Sequence, residues 1–313
     1  MKDPLDNDRT KDMIEYILAM EAEDAQAVGS VGYQARALVQ ATLPHRKPEG
    51  AFYQRHNGCY TLTIASAHPT AGLPYGSIPR LLLAWMATEA VRRQDPMIPL
   101  GDSLADFMRK VGLPRPTGGA RGSITQLKKQ ARALFSCVIT CSRMTLSEGL
   151  QEARYLVADE NSTVDWWGTT TGPNGQMAKT IAGDDMVTLS DRFYREIIEH
   201  AVPIDLRALG VLRRSPLALD LYSWLTYRMH TVKRPTTIPW EGLRAQFGAG
   251  YPDSPQGMRD FRKKLRVQMR PVLALYPSAR VTEVETGLEL RPSPTHVGQA
   301  PRRGLPPAAG SGG

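Results

Sequence analysis

Basic side chains recur at a spacing of three and four residues between positions 259 and 270. In an α-helix this spacing places them on one face, beside a face of apolar residues that has the same period. Guanidinium and ammonium groups bind phosphate oxygens, and arginine or lysine also bonds the guanine edge in the major groove of DNA. The basic residues are Arg259, Arg262, Lys263, Arg266 and Arg270, and the apolar ones are Met258, Phe261, Leu265 and Met269. The segment is predicted to be a helix that packs on one side and is positive on the other.

An earlier segment repeats this pattern in the same register. The matching basic residues are Lys128, Lys129 and Arg132, and the matching apolar residues are Ile124, Leu127, Ala131 and Phe135. A single basic stripe is usually a solvated helix face that binds nothing. Two stripes in one register favour a shared binding function, with most basic residues assigned to phosphates. Gln126, Gln130 and Gln268 on the same segments are available to read adenine.

The elements around the two basic segments also repeat, at a spacing of roughly 140 residues that suits two related domains. Each copy begins with a helix that carries Trp85 or Trp224, which we expect to be a core residue. A short Ile-Pro segment follows, at 98–100 or 238–240, and then a second helix, the basic helix and a β-hairpin. This order is typical of the winged-helix form of the helix-turn-helix. The predicted fold class is α+β, mainly helical, with tandem winged-helix domains.

These patterns divide the chain into five segments. Residues 1–50 are an acidic N-terminal arm and linker, with eight acidic and three basic residues among the first thirty. Residues 51–183 and 215–291 are the two winged-helix domains, and 184–214 is a connecting strand and helix. Residues 292–313 are rich in Pro, Gly and Ala and have no aromatic side chain, which predicts a disordered tail.

Composition supports a polyanionic partner. The 313 residues include 39 basic and 31 acidic side chains, a net charge of +8. No apolar run approaches the ~20 residues that cross a bilayer, and no apolar leader follows Met1, so we expect a cytoplasmic protein without a membrane partner. Three cysteines, an odd number, fit a reducing compartment better than a disulfide framework.

Residue patterns of enzymes are largely missing from the sequence. The glycine-rich stretch 118–123 lacks the Gly-Lys-Ser/Thr ending of a P-loop, and Cys137 and Cys141 have no nearby histidine to complete a zinc site. We interpret these two cysteines as buried structural thiols. Asp184-Asp185 is an acidic pair of the kind that is usually just hydrated. At least one of the adjacent Trp166 and Trp167 is predicted to be exposed and available for a contact. The sequence therefore predicts no catalytic residue, no metal and no cofactor.

The double pattern resembles the plasmid replication initiators of the RepA type over about residues 50–292. The stretches that carry the resemblance are IPRLLLAWMATEAVRRQ (78–94), IPLGDSLADFMRKVGL (98–113), GGARGSITQLKKQARALFS (118–136), VTLSDRFYREII (187–198) and SPLALDLYSWLTYRM (215–229). The resemblance implies binding to repeated iteron DNA at a plasmid origin in a bacterium and local melting of the duplex. It also implies recruitment of the host initiator and replicative helicase, and copy control through a homodimer formed by the first module.

The DNA-binding role falls on basic and hydroxyl residues of the two modules. They are Arg121, Ser123, Thr125, Lys128, Lys129, Arg132, Arg259, Arg262, Lys263, Lys264, Arg266 and Arg270. A transcriptional regulator that uses the same modules on an operator is the alternative function. A nickase or recombinase would instead need a tyrosine or serine nucleophile with histidine or arginine partners.

Overall fold

The fold is α+β, as the sequence predicts. The computed structural model describes residues 25–68, 70–101, 104–113, 115–145, 149–159, 169–171, 177–179 and 186–297. Every strand pair within these ranges is antiparallel. None of the helices they contain has the length and apolar character that crossing a membrane requires.

The first half of the chain holds the first copy of the predicted repeat. Its elements are β1 (Val31–Ala35), α1 (Arg36–Gln40), β2 (Phe52–Asn57), β3 (Tyr60–Ser66), α2 (Ser77–Arg93), β4 (Met97–Pro99), α3 (Leu104–Lys110), α4 (Ser123–Phe135), β5 (Cys137–Thr145) and β6 (Gly149–Leu156). Trp85 of α2 is buried and packs edge-on against Phe107 of α3, with ring centroids 5.0 Å apart. Its predicted place in the core is confirmed.

The second half of the chain holds the elements that follow the first hairpin and then the second copy, which begins at residue 215. Its elements are β7 (Thr169–Thr171), β8 (Met177–Lys179), β9 (Met186–Thr188), α5 (Asp191–His200), β10 (Ala201–Asp205), α6 (Leu206–Leu212), α7 (Pro216–Thr231), β11 (Thr236–Pro239), α8 (Trp240–Phe247), α9 (Pro255–Leu275), β12 (Val281–Val284) and β13 (Gly287–Leu290). Trp224 of α7 packs edge-on against Phe247 of α8 at 5.6 Å, the same contact as in the first copy. The predicted order of helix, strand, helix, basic helix and hairpin is confirmed in both copies.

Serine and proline set the starts of the long helices in the second copy. Ser215 accepts a hydrogen bond from the backbone N–H of Ala218, and Ser254 accepts one from Gly257. Each serine is followed by a proline at the first helical position, where no intrahelical hydrogen bond is lost. The sequence therefore fixes where α7 and the basic helix α9 begin.

The hairpin of the second copy belongs to a three-stranded sheet with the order β11-β13-β12. Strand β13 lies in the middle, so the Ile-Pro strand β11 pairs directly with the second strand of the hairpin. Gly287 makes this approach possible, because a Cβ atom at that position would lie only 1.9 Å from the carbonyl oxygen of Ile238. This sheet holds the hairpin beside α8 and α9.

The first copy has the same elements, but its strands pair differently. Its hairpin belongs to a four-stranded sheet with the order β2-β3-β5-β6, and the Ile-Pro strand β4 pairs with β9 instead of β6. Leu189, directly after β9, forms a bridge with Ala158, two residues after the end of β6. Strand β9 is thus inserted between β4 and the chain that continues β6. It belongs structurally to the first copy, although the sequence boundary at 183 assigns it to the connecting segment.

Two segments that the sequence places outside the globular domains pack into the fold. Strand β1 pairs with β10 along its length, and Val39 and Leu43 lie in the core. Val297 is also buried, and the ring of His296 lies between those of Tyr222 and Tyr276. The prediction of a disordered tail from residue 292 is therefore wrong for residues 292–297. His296 and Val297 supply the contacts that order this segment, although its composition, rich in Pro, Gly and Ala, predicts disorder.

Candidate nucleic-acid interface

Helix α9 has one buried face and one basic face. Phe261, Leu265 and Met269 are buried against the rest of the second copy, while Lys263 and Arg270 are exposed. Lys263 and Arg270 have no hydrogen-bond or ion-pair partner among the described residues, so their charges are available to a ligand. The predicted division of this helix into a packing side and a positive side is confirmed by burial.

The basic face follows the helix for most of its length. Successive residues of an α-helix are ~100° apart around the axis, so Arg259, Lys263, Arg266 and Arg270 lie in one stripe. We call these four residues the α9 stripe, and all four are exposed. Arg259 also donates to the side-chain oxygen of Gln256, at 2.7 and 3.1 Å. Lys264 is exposed but lies ~100° away from Lys263, so the structure places it on another side of α9.

Arg262 stacks on an aromatic ring at the edge of this stripe. Its guanidinium carbon is 4.9 Å from the centroid of the Trp240 ring, a cation–π distance, and that of Arg266 is 5.9 Å away. The Arg262 side chain is half-buried, and its Nε atom is buried without a hydrogen-bond partner in the described part of the chain. Part of this side chain thus packs against the protein and only the remainder faces solvent.

Trp240 connects the helix to the hairpin turn. Its ring is buried, and its Nε1–H donates to the carbonyl oxygen of Glu285 at 3.1 Å. The backbone N–H of Trp240 donates to Thr286 in the same turn. The indole therefore positions the Arg262 side chain and the turn between β12 and β13 relative to each other.

An ion pair makes a second connection between α9 and the hairpin. The Nε–H of Arg266 donates to both carboxylate oxygens of Glu283 in β12, at 2.9 Å each. The hydrogen bond to Glu283 raises the pKa of Arg266, so the guanidinium stays charged. Both side chains are at least two-fifths exposed, so the pair adds little stability, under about 1 kcal/mol. Its consequence is geometric, since it fixes the hairpin against the basic face of the helix.

Helix α4 of the first copy shows the same division. Leu127, Ala131 and Phe135 are buried, whereas Lys129 and Arg132 are exposed and Lys128 is half-buried. Arg132 lies 3.2 Å from the imidazole Nε2 of His68. The apolar register that the sequence predicts for both basic helices is therefore confirmed, with its basic residues on the opposite side.

The loop before α4 uses two of the predicted DNA-binding residues to hold itself together. The hydroxyl of Ser123 accepts from the backbone N–H of Thr117 at 2.9 Å and donates to the carbonyl oxygen of Arg115 at 3.1 Å. Thr125 donates to the carbonyl oxygen of Gly119 at 2.8 Å. These bonds leave Arg121 exposed at the loop surface. Arg121, rather than the two hydroxyls, is placed to contact a ligand directly.

One predicted base-reading glutamine is buried. The side-chain oxygen of Gln130 accepts a hydrogen bond from the backbone N–H of Tyr75 at 2.8 Å, and only 2% of the residue is exposed. The prediction that Gln130 is available to adenine is wrong, because its carboxamide bonds the backbone N–H of Tyr75, just before α2. Gln126 and Gln268 are half-buried.

The residues considered for metal or redox chemistry have mostly structural surroundings. Cys137 is buried, and burial raises the pKa of its thiol and of the Cys141 thiol to about 12, which keeps both protonated. The described residues contain no group of three or more His, Cys, Asp or Glu side chains that could hold a metal. Trp166, Trp167, Asp184 and Asp185 lie outside the described residues.

Comparison with known proteins identifies the family. The family model for the plasmid-encoded RepA protein matches residues 73–241, more than half of the chain. The chain belongs to this family and is a plasmid-type replication initiator, which confirms the resemblance seen in the sequence.

A crystal structure of selenomethionine derivatives of domains 2 and 3 of RctB is similar over 81% of this chain and 95% of its own, with 14% identity and a TM-score of 0.46. No curated protein matches the chain.

Proposed function

We propose that this initiator binds repeated iteron sequences in double-stranded DNA at a plasmid origin through two winged-helix modules. Helices α4 and α9 are the recognition helices in this proposal, and the hairpins β5-β6 and β12-β13 are the wings. Binding then promotes local melting and brings the host initiator and replicative helicase to the origin. A homodimer that is inactive for initiation limits the copy number.

The α9 stripe is the single observation that carries the proposal. From Arg259 to Arg270 it extends about 16 Å along the helix axis, since each residue adds ~1.5 Å. The major groove of B-DNA is about 12 Å wide. The stripe is therefore long enough for its ends to contact the phosphates that border the groove while Lys263 faces the base edges. The family match ends at residue 241, so this assignment of α9 depends on the geometry of the helix.

The hairpin beside α9 supports the winged-helix assignment. Trp240 and the Arg266–Glu283 pair hold the β12-β13 turn next to the basic face. In winged-helix proteins the hairpin contacts DNA beside the groove that the recognition helix enters, so such a connection orients both elements for one duplex. In the first module Lys129 and Arg132 occupy the positions of Lys263 and Arg266, and Arg121 lies in the loop before α4.

Equilibrium binding to labelled duplexes tests the proposal. One duplex carries the direct repeats that flank the gene, and a second has the same composition in scrambled order. We expect the repeat duplex to bind about 10³-fold more tightly or better, as specific protein–DNA complexes do. Equal affinity for the two duplexes would contradict sequence-specific binding.

A plasmid assay separates initiation from transcriptional regulation. A plasmid that carries only the repeats and its origin is introduced into cells with or without this chain supplied in trans. We expect replication only when the chain is present. Replication without the chain would favour an operator-binding regulator.

We further infer that the chain acts without a covalent step on DNA. Incubation of the protein with supercoiled plasmid and magnesium is expected to leave the DNA closed and free of attached protein. Nicked product or a covalent complex would show that a nucleophile operates, and would make the protein a nickase or recombinase.

A further inference from the structure

A basic cleft lies on the second module where α7 ends and β11 begins. It has a volume of about 410 Å³ and is lined by Arg228, Thr231, Val232, Lys233, Arg234 and Thr236. Three of these residues are cationic, and no acidic residue is among the described residues that line the cleft. None of these lining residues belongs to the α9 stripe, and neither Trp240 nor Arg262 is among them.

The three cations have no anionic partner in the described part of the chain. Lys233 and Arg234 are exposed. Arg228 is half-buried, and its Nε atom is buried without a hydrogen-bond partner among the described residues. A buried N–H donor without a partner is costly, so a hydrogen-bond acceptor beside the Arg228 guanidinium would stabilise the protein. Burial also lowers the pKa of Arg228, which reflects the same unfavourable loss of solvent around its charge.

The repeat shows that the fold does not require this charge. Aligning Trp85 with Trp224 places Glu89, Gln94 and Asp95 at the positions of Arg228, Lys233 and Arg234. The first module makes the same turn from helix to strand with two acidic residues and one neutral one. The turn therefore forms without cations at these positions, and the three cations of the second module are not required for it.

The lining chemistry fits a phosphate group rather than a whole nucleotide. No aromatic side chain is present among the described lining residues to stack on a base, and Val232, the apolar one, is itself buried. The carbonyl ends of α7 give that helix end a partial negative charge of about one half, which is smaller than the charge of three cations. The electrostatic balance therefore favours an anion.

The cleft is close to the candidate interface. Thr236, at its edge, begins β11, and Trp240 follows four residues later, a distance of about 13 Å along an extended strand. Arg262 lies over the Trp240 ring. A duplex held by α9 thus has further backbone within reach of the cleft.

We propose that this cleft binds a backbone phosphate of duplex DNA and extends the contact made by α9. This inference rests on the proposed DNA-binding function. The cleft fixes the second module against one strand beyond the base pairs that α9 reads, and it contributes to affinity without reading sequence.

The test removes the two exposed cations, in the variant Lys233→Ala with Arg234→Ala. Its control, Arg93→Ala with Arg214→Ala, removes the same charge from two exposed positions outside the cleft. Arg93 is in the last turn of α2, and Arg214 lies just before α7, whose 16 residues span about 24 Å from there to the cleft. Binding to the repeat duplex is measured by fluorescence anisotropy over a range of salt concentrations. We expect the cleft variant to bind at least severalfold more weakly and the slope of log affinity against log salt to flatten by about 0.9, the share of one phosphate.

The outcomes separate the cleft from the proposed function. If the wild-type protein does not bind the repeat duplex, the proposed function fails. If it binds and the cleft and control variants are equal, only the cleft assignment fails. Calorimetry with inorganic phosphate distinguishes a free anion as the ligand: micromolar binding that the cleft variant loses, together with unchanged DNA affinity, would overturn the assignment to DNA.

Discussion

Arg80 of α2 and Asp220 of α7 form a buried ion pair that joins the first helices of the two repeat copies. The Nε–H and one Nη2–H of Arg80 donate to the two carboxylate oxygens of Asp220, both at 2.7 Å. The remaining N–H groups of Arg80 donate to the carbonyl oxygens of Leu43, Pro44 and Gly76. All five donors of this guanidinium are therefore satisfied, and at most 8% of either residue is exposed.

Loss of the Asp220 carboxylate should strongly destabilise the protein. Asp220→Asn leaves the Arg80 charge buried without a counter-charge, which typically costs about 3–5 kcal/mol of the free energy of unfolding. Chemical denaturation measures this change. The control is Asp253→Asn, since Asp253 pairs with Arg244 on the surface and should contribute far less. Equal losses in the two variants would contradict a structural role for the buried pair.

Stability should decrease as the pH falls from about 7.5 to 5.5. Burial lowers the pKa of His45 and of His296 below the ordinary value of 6.5, although Asp220 accepts a hydrogen bond from His45. The unfolded chain therefore takes up these protons at a higher pH than the folded chain. The stability that the neutral imidazoles provide is present above pH ~6.5 and is lost below it.

Denaturation at several pH values checks this expectation. His45→Gln keeps a donor for Asp220 but cannot titrate, so its stability should depend less steeply on pH than that of the wild type. The charged groups that face His45 include Arg80 and Asp220. Burial alone would raise the pKa of Asp220, but Arg80 and His45 lower it by more, so this carboxyl stays ionised over the whole range. A wild-type stability that is constant or rises towards acid would contradict the prediction.

Neutralising Glu283 should strengthen DNA binding. Glu283→Gln releases Arg266 from its ion pair and removes a negative charge from the hairpin that faces DNA in the proposal. We expect affinity for the repeat duplex to rise severalfold and the salt slope to steepen by about 0.9 if Arg266 then contacts a phosphate. Glu289→Gln is a matched control because it changes the charge of the same hairpin equally but frees Arg291 instead. The same gain in both variants would mean that only net charge matters.

The two basic helices could be predicted from sequence because their pattern is local. Residues three and four apart share a helix face, so the burial of Leu265 and the exposure of Lys263 follow from spacing alone. The internal repeat, visible from Trp85 and Trp224, then gave the order of elements. Neither inference needed a contact between distant parts of the chain.

Features that depend on distant partners could not be predicted in this way. Nothing near β9 in sequence indicates that it pairs with β4, and nothing near Gln130 indicates that it binds the backbone of Tyr75. Arg80 and Asp220 did leave a signal, since each is a charge flanked on both sides by apolar residues of its helix. A charge in such a place needs a buried partner, but the sequence does not identify it.

The most direct test of the α9 stripe compares two neighbouring lysines. Lys263 lies in the stripe, whereas Lys264 is equally a surface lysine but lies ~100° away around the helix. Lys263→Ala and Lys264→Ala remove the same charge from the same helix, so binding to the repeat duplex across a salt titration reports on position alone. The proposed interface predicts that Lys263→Ala weakens binding severalfold, because Lys263 faces the base edges, while Lys264→Ala binds almost as the wild type does. Equal effects of the two substitutions, or no effect of either, would contradict the placement of DNA on this face.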